Sequence, residues 1–193
     1  MYGLSIYFWA VYSVDVDLPS FLNKLVGLGY TVAEATYSAG TLSVKYLPDG
    51  SLATKKTELG TITLLYDEGR KAIGVVGSNR DLVSLGLADM TRALNEARIP
   101  EPVVTELYIS FGESMTIPQK RAMKVLGYDL KEGGTVLYWG DPQSETVYLT
   151  VSPSGPNKVV VVLIVRGKWE MTLMFLNNFH TVVNEVINGV KNA

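Results

Sequence analysis

The stretch that decides the fold lies near the start of the chain and reads Leu4-Ser5-Ile6-Tyr7-Phe8-Trp9-Ala10-Val11. Its even-numbered residues are all apolar, whereas its odd-numbered residues mix polar, aromatic and aliphatic side chains. Successive side chains of a β-strand point to opposite sides of a sheet. This period of two therefore predicts a strand with one face for a core and a second, mixed face.

The same alternation recurs along the chain. Further strands are predicted at residues 31–37, 40–47, 61–66, 72–76, 106–111, 135–139, 146–151 and 158–165. Their second faces carry the aromatic residues Tyr7, Trp9, Tyr108 and Tyr148 among Ser, Thr, Lys and Glu. Tyr and Trp combine a large apolar area with a polar group and are enriched at interfaces. These four residues are therefore the predicted binding face, and cross-strand pairing on a solvated sheet is the alternative.

Residues 159–165 are apolar on both faces. A strand of this kind is usually covered on both sides. The second face is therefore expected to be covered in part by a loop, the other half of the chain or another subunit.

Four helices are predicted between these strands. Asp17 is placed to cap a helix that Gly29 ends, and Asn79 or Asp81 opens a second that runs to about residue 98. Thr116 is expected to cap a third helix ending at Gly127, and a long closing helix is predicted over residues 169–190.

The order of these elements repeats. We predict an α+β fold of two similar β-α-β-β-β-α halves, residues 1–99 and 103–193, which form antiparallel sheet with helices on one face. The first helices of both halves end in Leu-Gly-Tyr, at residues 28–30 and 126–128. Two copies suggest one pseudo-symmetric body, and two unrelated α+β domains in tandem are the alternative.

Composition excludes several classes of protein. The 193 residues include no Cys and one His, and the chain has a formal net charge of −2. Without Cys, a disulfide scaffold and a thiolate metal site are impossible. The charge weighs against a polycationic nucleic-acid binder. No cofactor and no metal are expected, and the lone His180 is interpreted as a surface or helix-packed residue.

No signal peptide and no apolar run of membrane-spanning length can be recognised. A signal peptide needs a basic segment and a small-residue cleavage site, and a membrane helix needs about 20 apolar residues. A cytoplasmic protein without membrane contact is the expectation.

The element order resembles that of the TATA-box-binding protein family. Residues 70–78, Arg-Lys-Ala-Ile-Gly-Val-Val-Gly-Ser, lead into a long helix and look like the last strand and final helix of that family's repeat. The resemblance implies one curved sheet with helices on its convex side. It carries over no functional residue, because no Phe pair lies at a strand-connecting turn, where that family inserts wedges into DNA.

No catalytic constellation can be recognised, so binding is favoured over catalysis. Glu34, Asp141 and Glu145 could meet across a sheet, but the sequence does not place them together. The leading prediction is a non-catalytic binding or assembly protein whose Tyr- and Trp-bearing face meets a protein partner or another copy. Nucleic-acid binding in the manner of the TATA-binding fold, and small-molecule binding or catalysis in a cleft between the halves, are the alternatives.

Overall fold

The computed structural model describes residues 1–38, 40–115, 122–125, 128–131, 134–141 and 143–192. The chain divides into two compact units. The first unit is Ser5–Leu107, and the second combines Met1–Leu4 with Tyr108–Ala193. The described elements confirm an α+β fold with antiparallel strands. The duplication with the boundaries 1–99 and 103–193 stays a prediction.

The helices and strands are numbered in chain order. Those that begin before residue 100 are β1 (Tyr2–Val11), α1 (Leu18–Gly27), β2 (Thr31–Val32), β3 (Glu34–Ser38), β4 (Thr41–Lys45), β5 (Ala53–Thr57), β6 (Gly60–Asp67), β7 (Ala72–Gly77) and α2 (Arg80–Glu96). Those that follow are β8 (Val104–Glu113), β9 (Ala122–Val125), β10 (Tyr128–Lys131), β11 (Thr135–Gly140), β12 (Thr146–Gly155), β13 (Lys158–Gly167), α3 (Trp169–Asn177) and α4 (Phe179–Asn192).

The first unit contains the strand order β1-β7-β6-β5-β2 and a separate β3-β4 hairpin. Register places Phe8 opposite Val75, and Val75 opposite Leu64, so these three buried side chains share one face. Helix α2 covers this face. A Cβ at Gly86 would lie 2.6 Å from Ile62 and 2.8 Å from Val75, so glycine allows the helix to approach both strands closely.

The predicted ends of the first two helices are confirmed. The backbone N–H of Ser20 donates to Asp17 at 3.2 Å, and the N–H of Asp81 donates to Asn79 at 2.8 Å. These bonds satisfy amides that have no partner within the helix. Gly29 has φ +85°, the left-handed conformation that follows many helix ends.

The second unit contains the strand order β11-β12-β13-β8 and a separate β9-β10 hairpin. On β13, Val161, Leu163 and Val165 are buried, and the residues between them are half-buried. Helix α3 packs against β13. Among the described residues, no helix has both the length and the apolar character that crossing a membrane would require.

The helix predicted from Thr116 to Gly127 is wrong. Both of these residues lie outside the described ones, but Ala122–Val125 between them is strand β9, which pairs with β10. Glycine is typical of a helix end and also of the turn between two hairpin strands. The Leu-Gly-Tyr signal at residues 126–128 therefore could not distinguish a helix from a hairpin.

The closing helix is two helices. The side chain of Asn178 donates to the carbonyl oxygen of Met174 at 2.8 Å, and its backbone N–H donates to the same oxygen at 3.1 Å. Both donors of Asn178 therefore bond to the last turn of α3, and Asn is favoured at such helix ends over helix interiors. Helix α3 ends at Asn177, and α4 begins at Phe179.

One polar cluster connects α2 to β5 and to the residue that precedes β2. The Nζ of Lys55 lies 2.9 Å from the carboxylate of Asp89, to which the Tyr30 hydroxyl also donates at 3.1 Å. The Lys55 ammonium lies 5.2 Å from the centroid of the Tyr30 ring. Burial and the neighbouring Asp89 raise the pKa of Tyr30, so this hydroxyl keeps its proton and donates.

We expect Asp89→Ala to lower the free energy of unfolding by about 1–2 kcal/mol, because two partly buried donors lose their acceptor. Chemical denaturation measures this loss. Glu34→Ala is the matched control, since the side chains of the Glu34–Lys45 pair are 74% and 78% exposed. Its loss should be below about 0.5 kcal/mol. Equal losses in the two variants would contradict this role for the cluster.

A second prediction concerns alkaline pH. Burial, with the carboxylates of Glu68 and Asp15, raises the pKa of Tyr66 to about 12. An unfolded Tyr titrates near ~10. Between these values the folded protein keeps a proton that the unfolded chain has lost, so stability is full below about pH 10 and falls as the pH rises toward 12.

Denaturation at about pH 9 and about pH 11 should show this fall. Tyr66→Phe should make it smaller, because the variant has no Tyr66 proton to lose. The same fall in both proteins would show that Tyr66 is not its source.

Candidate functional site

The predicted binding residues divide between the two units. Tyr7 and Trp9 lie in the first unit, and both are half-buried on the face of β1 opposite the buried Phe8. Tyr108 and Tyr148 lie in the second unit, on β8 and β12. Tyr108 is half-buried, and Tyr148 is 37% exposed.

Trp9 packs within its own unit. A Cβ at Gly74, its cross-strand neighbour, would lie 2.6 Å from Cε3 of the indole. The Arg70 guanidinium lies 5.7 Å from the ring centroid and also forms an ion pair with Glu106. The absence of a side chain at Gly74 leaves room for the indole ring, and a cation over a Trp ring is stabilising. The surroundings of Trp9 therefore account for its place in the sheet without a ligand.

Tyr148 belongs to a larger aromatic surface. Its direct cross-strand neighbour is Tyr138 on β11, which is 74% exposed. Val136, Leu137 and Trp139 of the same strand also expose more than half of their surface. Four consecutive large apolar side chains are therefore exposed on one strand, so apolar surface is present on both faces of β11.

The sequence predicted β11 as a strand and did not predict its exposure. The available signal was the run Val-Leu-Tyr-Trp between Gly134 and Gly140, with no charged residue inside it. A short apolar run between glycines is equally typical of a buried strand. Only the position of β11 at the end of the strand order distinguishes an exposed strand from a buried one.

A groove of about 270 Å³ lies beside β11. Its walls are mostly apolar and come from the sheet and from the closing helices: Leu137, Trp139, Leu149, Phe175, Val182 and Val186. Glu185 is the one charged side chain among the described residues that line it. The groove is a place where an apolar side chain could be buried next to a single carboxylate.

Of the three carboxylates singled out in the sequence, those of Glu34 and Asp141 have partners within their own unit. Glu34 pairs with Lys45 at 3.3 Å across the β3-β4 hairpin. Asp141 accepts a bond from the backbone N–H of Gln143, and its own N–H donates to the carbonyl oxygen of Glu145. Glu34 lies in the first unit, and the other two residues lie in the second. Their observed contacts form a cross-strand pair and a turn.

His180 is exposed on α4, and its ring meets the buried Phe179 edge-on, with the centroids 5.4 Å apart. Across the described part of the chain, no three side chains of His, Asp or Glu come together in a way that could hold a metal ion.

No protein-family model matches the chain, and no curated protein matches it either.

We expect Gly74→Ala to lower the free energy of unfolding by about 1–3 kcal/mol, because the new methyl group would displace the Trp9 ring or the strand beside it. Gly27→Ala is the control. No atom lies within 4 Å of a Cβ at that position, which is in helix α1. This variant should gain about 0.5–1 kcal/mol from its lower backbone entropy in the unfolded state. Thermal or chemical denaturation compares them, and a neutral Gly74→Ala would contradict the packing described for Trp9.

Proposed function

We propose that the protein is a non-catalytic binding or assembly protein that meets a protein partner, or another copy of itself, through β11 and the adjacent Tyr148. We call this surface, Val136 to Trp139 with Tyr148, the edge surface. The observation that carries the proposal is the exposure of four consecutive large apolar side chains on one strand.

The chemistry of the edge surface supports binding to protein. Contiguous exposed apolar area is costly in water, and it marks interaction sites on many proteins. Two Tyr and one Trp supply most of this area, and these residue types are enriched at protein interfaces. Tyr148 comes from the binding face predicted in the sequence, and Tyr138 extends that face onto the neighbouring strand.

The backbone of β11 supports the same proposal. Among the described strands, β11 is hydrogen-bonded to β12 and ends the strand order. A strand in this position presents backbone donors and acceptors to any extended segment that aligns with it. Binding would therefore combine main-chain hydrogen bonds with apolar contacts. Nucleic-acid binding and a cleft between the halves stay predictions of the sequence alone.

A photo-reactive phenylalanine at position 138 tests the proposal. In cells that produce the protein naturally, irradiation should give a discrete cross-linked adduct, whose second component mass spectrometry identifies. The same group at Tyr37 is the control, because that residue is 50% exposed but lies on β3 in the first unit. No adduct at position 138, or the same adducts at both positions, would contradict the proposal.

A further inference from the structure

We propose that the partner of β11 is a second copy of this chain, whose own β11 pairs with it in antiparallel orientation about a two-fold axis. This inference rests on the proposed function, since it takes the edge surface as the binding surface and identifies what binds there. Backbone direction, charge and side-chain pairing each support it.

The direction of the backbone N–H and C=O groups of β11 shows which of them could bond to a second strand. The N–H of Asp141 donates to the carbonyl oxygen of Glu145, so residue 141 points its backbone groups toward the β12 side. In an antiparallel pair, every second residue of a strand points its backbone groups to the same side. The backbone groups of Leu137 and Trp139 therefore also point toward β12. The Thr146 hydroxyl donates to the carbonyl oxygen of Trp139 at 2.9 Å, in agreement. The N–H and C=O groups of Val136 and Tyr138 therefore point away from β12.

The charge of the strand favours a copy of itself. About a two-fold axis, a charge on an edge strand near the axis comes close to the same charge on the second copy, and such pairs are unfavourable. The six residues of β11 carry no charge and no proline. Edge strands are commonly protected from pairing by Lys, Pro, a bulge or short length. In the first unit, the terminal strand β2 is only two residues long and so has such protection.

The side chains match in one register. Residues opposite each other in an antiparallel pair share a face. The axis must therefore pass midway between one residue and the same residue of the second copy. When that residue is Tyr138, each Tyr138 exchanges both backbone hydrogen bonds with Tyr138 of the second copy. Leu137 then faces Trp139 of the second copy on the groove side of the sheet, and the symmetry repeats this contact. Aromatic–aliphatic pairs of this kind stabilise sheets.

In this register the second copy would also cover part of the groove. Leu137 and Trp139 line it at its sheet side. The Trp139 ring of the second copy, placed opposite Leu137, would cover apolar surface at that end of the groove. The groove and the strand would thus be covered by the same partner.

Introducing a charge at position 138 tests the inference on the purified full-length chain. Wild type should sediment as a dimer. Tyr138→Lys and Tyr138→Glu, measured separately, should each raise the dissociation constant of the dimer about 100-fold or more, because like charges would face each other across the axis. An equimolar mixture of the two variants should form a dimer again, since opposite charges then meet. This recovery also shows that both variants are folded.

Val26→Lys is the matched control, because Val26 is 54% exposed on α1 in the first unit. This variant should dimerise like the wild type. A monomeric wild type would overturn the inference, and a cross-link from position 138 to a different protein would then leave the proposed function standing. A wild-type dimer that survives both Tyr138 variants, or one that the mixture does not restore, would also overturn it.

Discussion

The close approach of helix α2 to strands β6 and β7 is the contact on which the first unit depends. Gly86 leaves the space into which Ile62 and Val75 fit. These side chains belong to the buried apolar face of the sheet, which period-two alternation creates on β1 and β6. Because that face must be covered, the helices pack on it. The polar and aromatic residues that alternate with the apolar ones along the strands point to the opposite face. The alternation thus determines the position of the helices and that of the mixed face.

Much of this arrangement could be predicted from local chemistry. Asp17 and Asn79 begin their helices because their side chains satisfy free backbone amides, and this requirement depends only on the neighbouring residues. The alternation in β1 identified its buried face for the same reason. Strand β5 could not be predicted in this way. Its Lys55 is held by an ion pair to Asp89, which is distant in sequence, and its residues do not alternate between apolar and polar.

The candidate site was harder to predict, because exposure is a property of the assembled sheet. The run Val-Leu-Tyr-Trp of β11 has the composition of a core strand, and nothing in its own sequence says that it will lie at the end of the strand order. Of the four predicted residues, Tyr148 belongs to the exposed surface, whereas Trp9 packs on Gly74. Aromatic character thus accompanied an exposed surface on one strand and internal packing on another.

The difference in length between β2 and β11 bears on how large an assembly can become. When two identical edge strands pair about a two-fold axis, neither has backbone groups left to bind a third chain. The growth of the sheet at that edge then stops at two chains. Pairing between two unlike edges would instead leave a free edge at each end, and the chains could add without limit as in a fibre. A two-residue β2 offers β11 almost no ladder for such head-to-tail growth. If chains pair through β11, the short strand would therefore favour a closed, finite complex over a polymer.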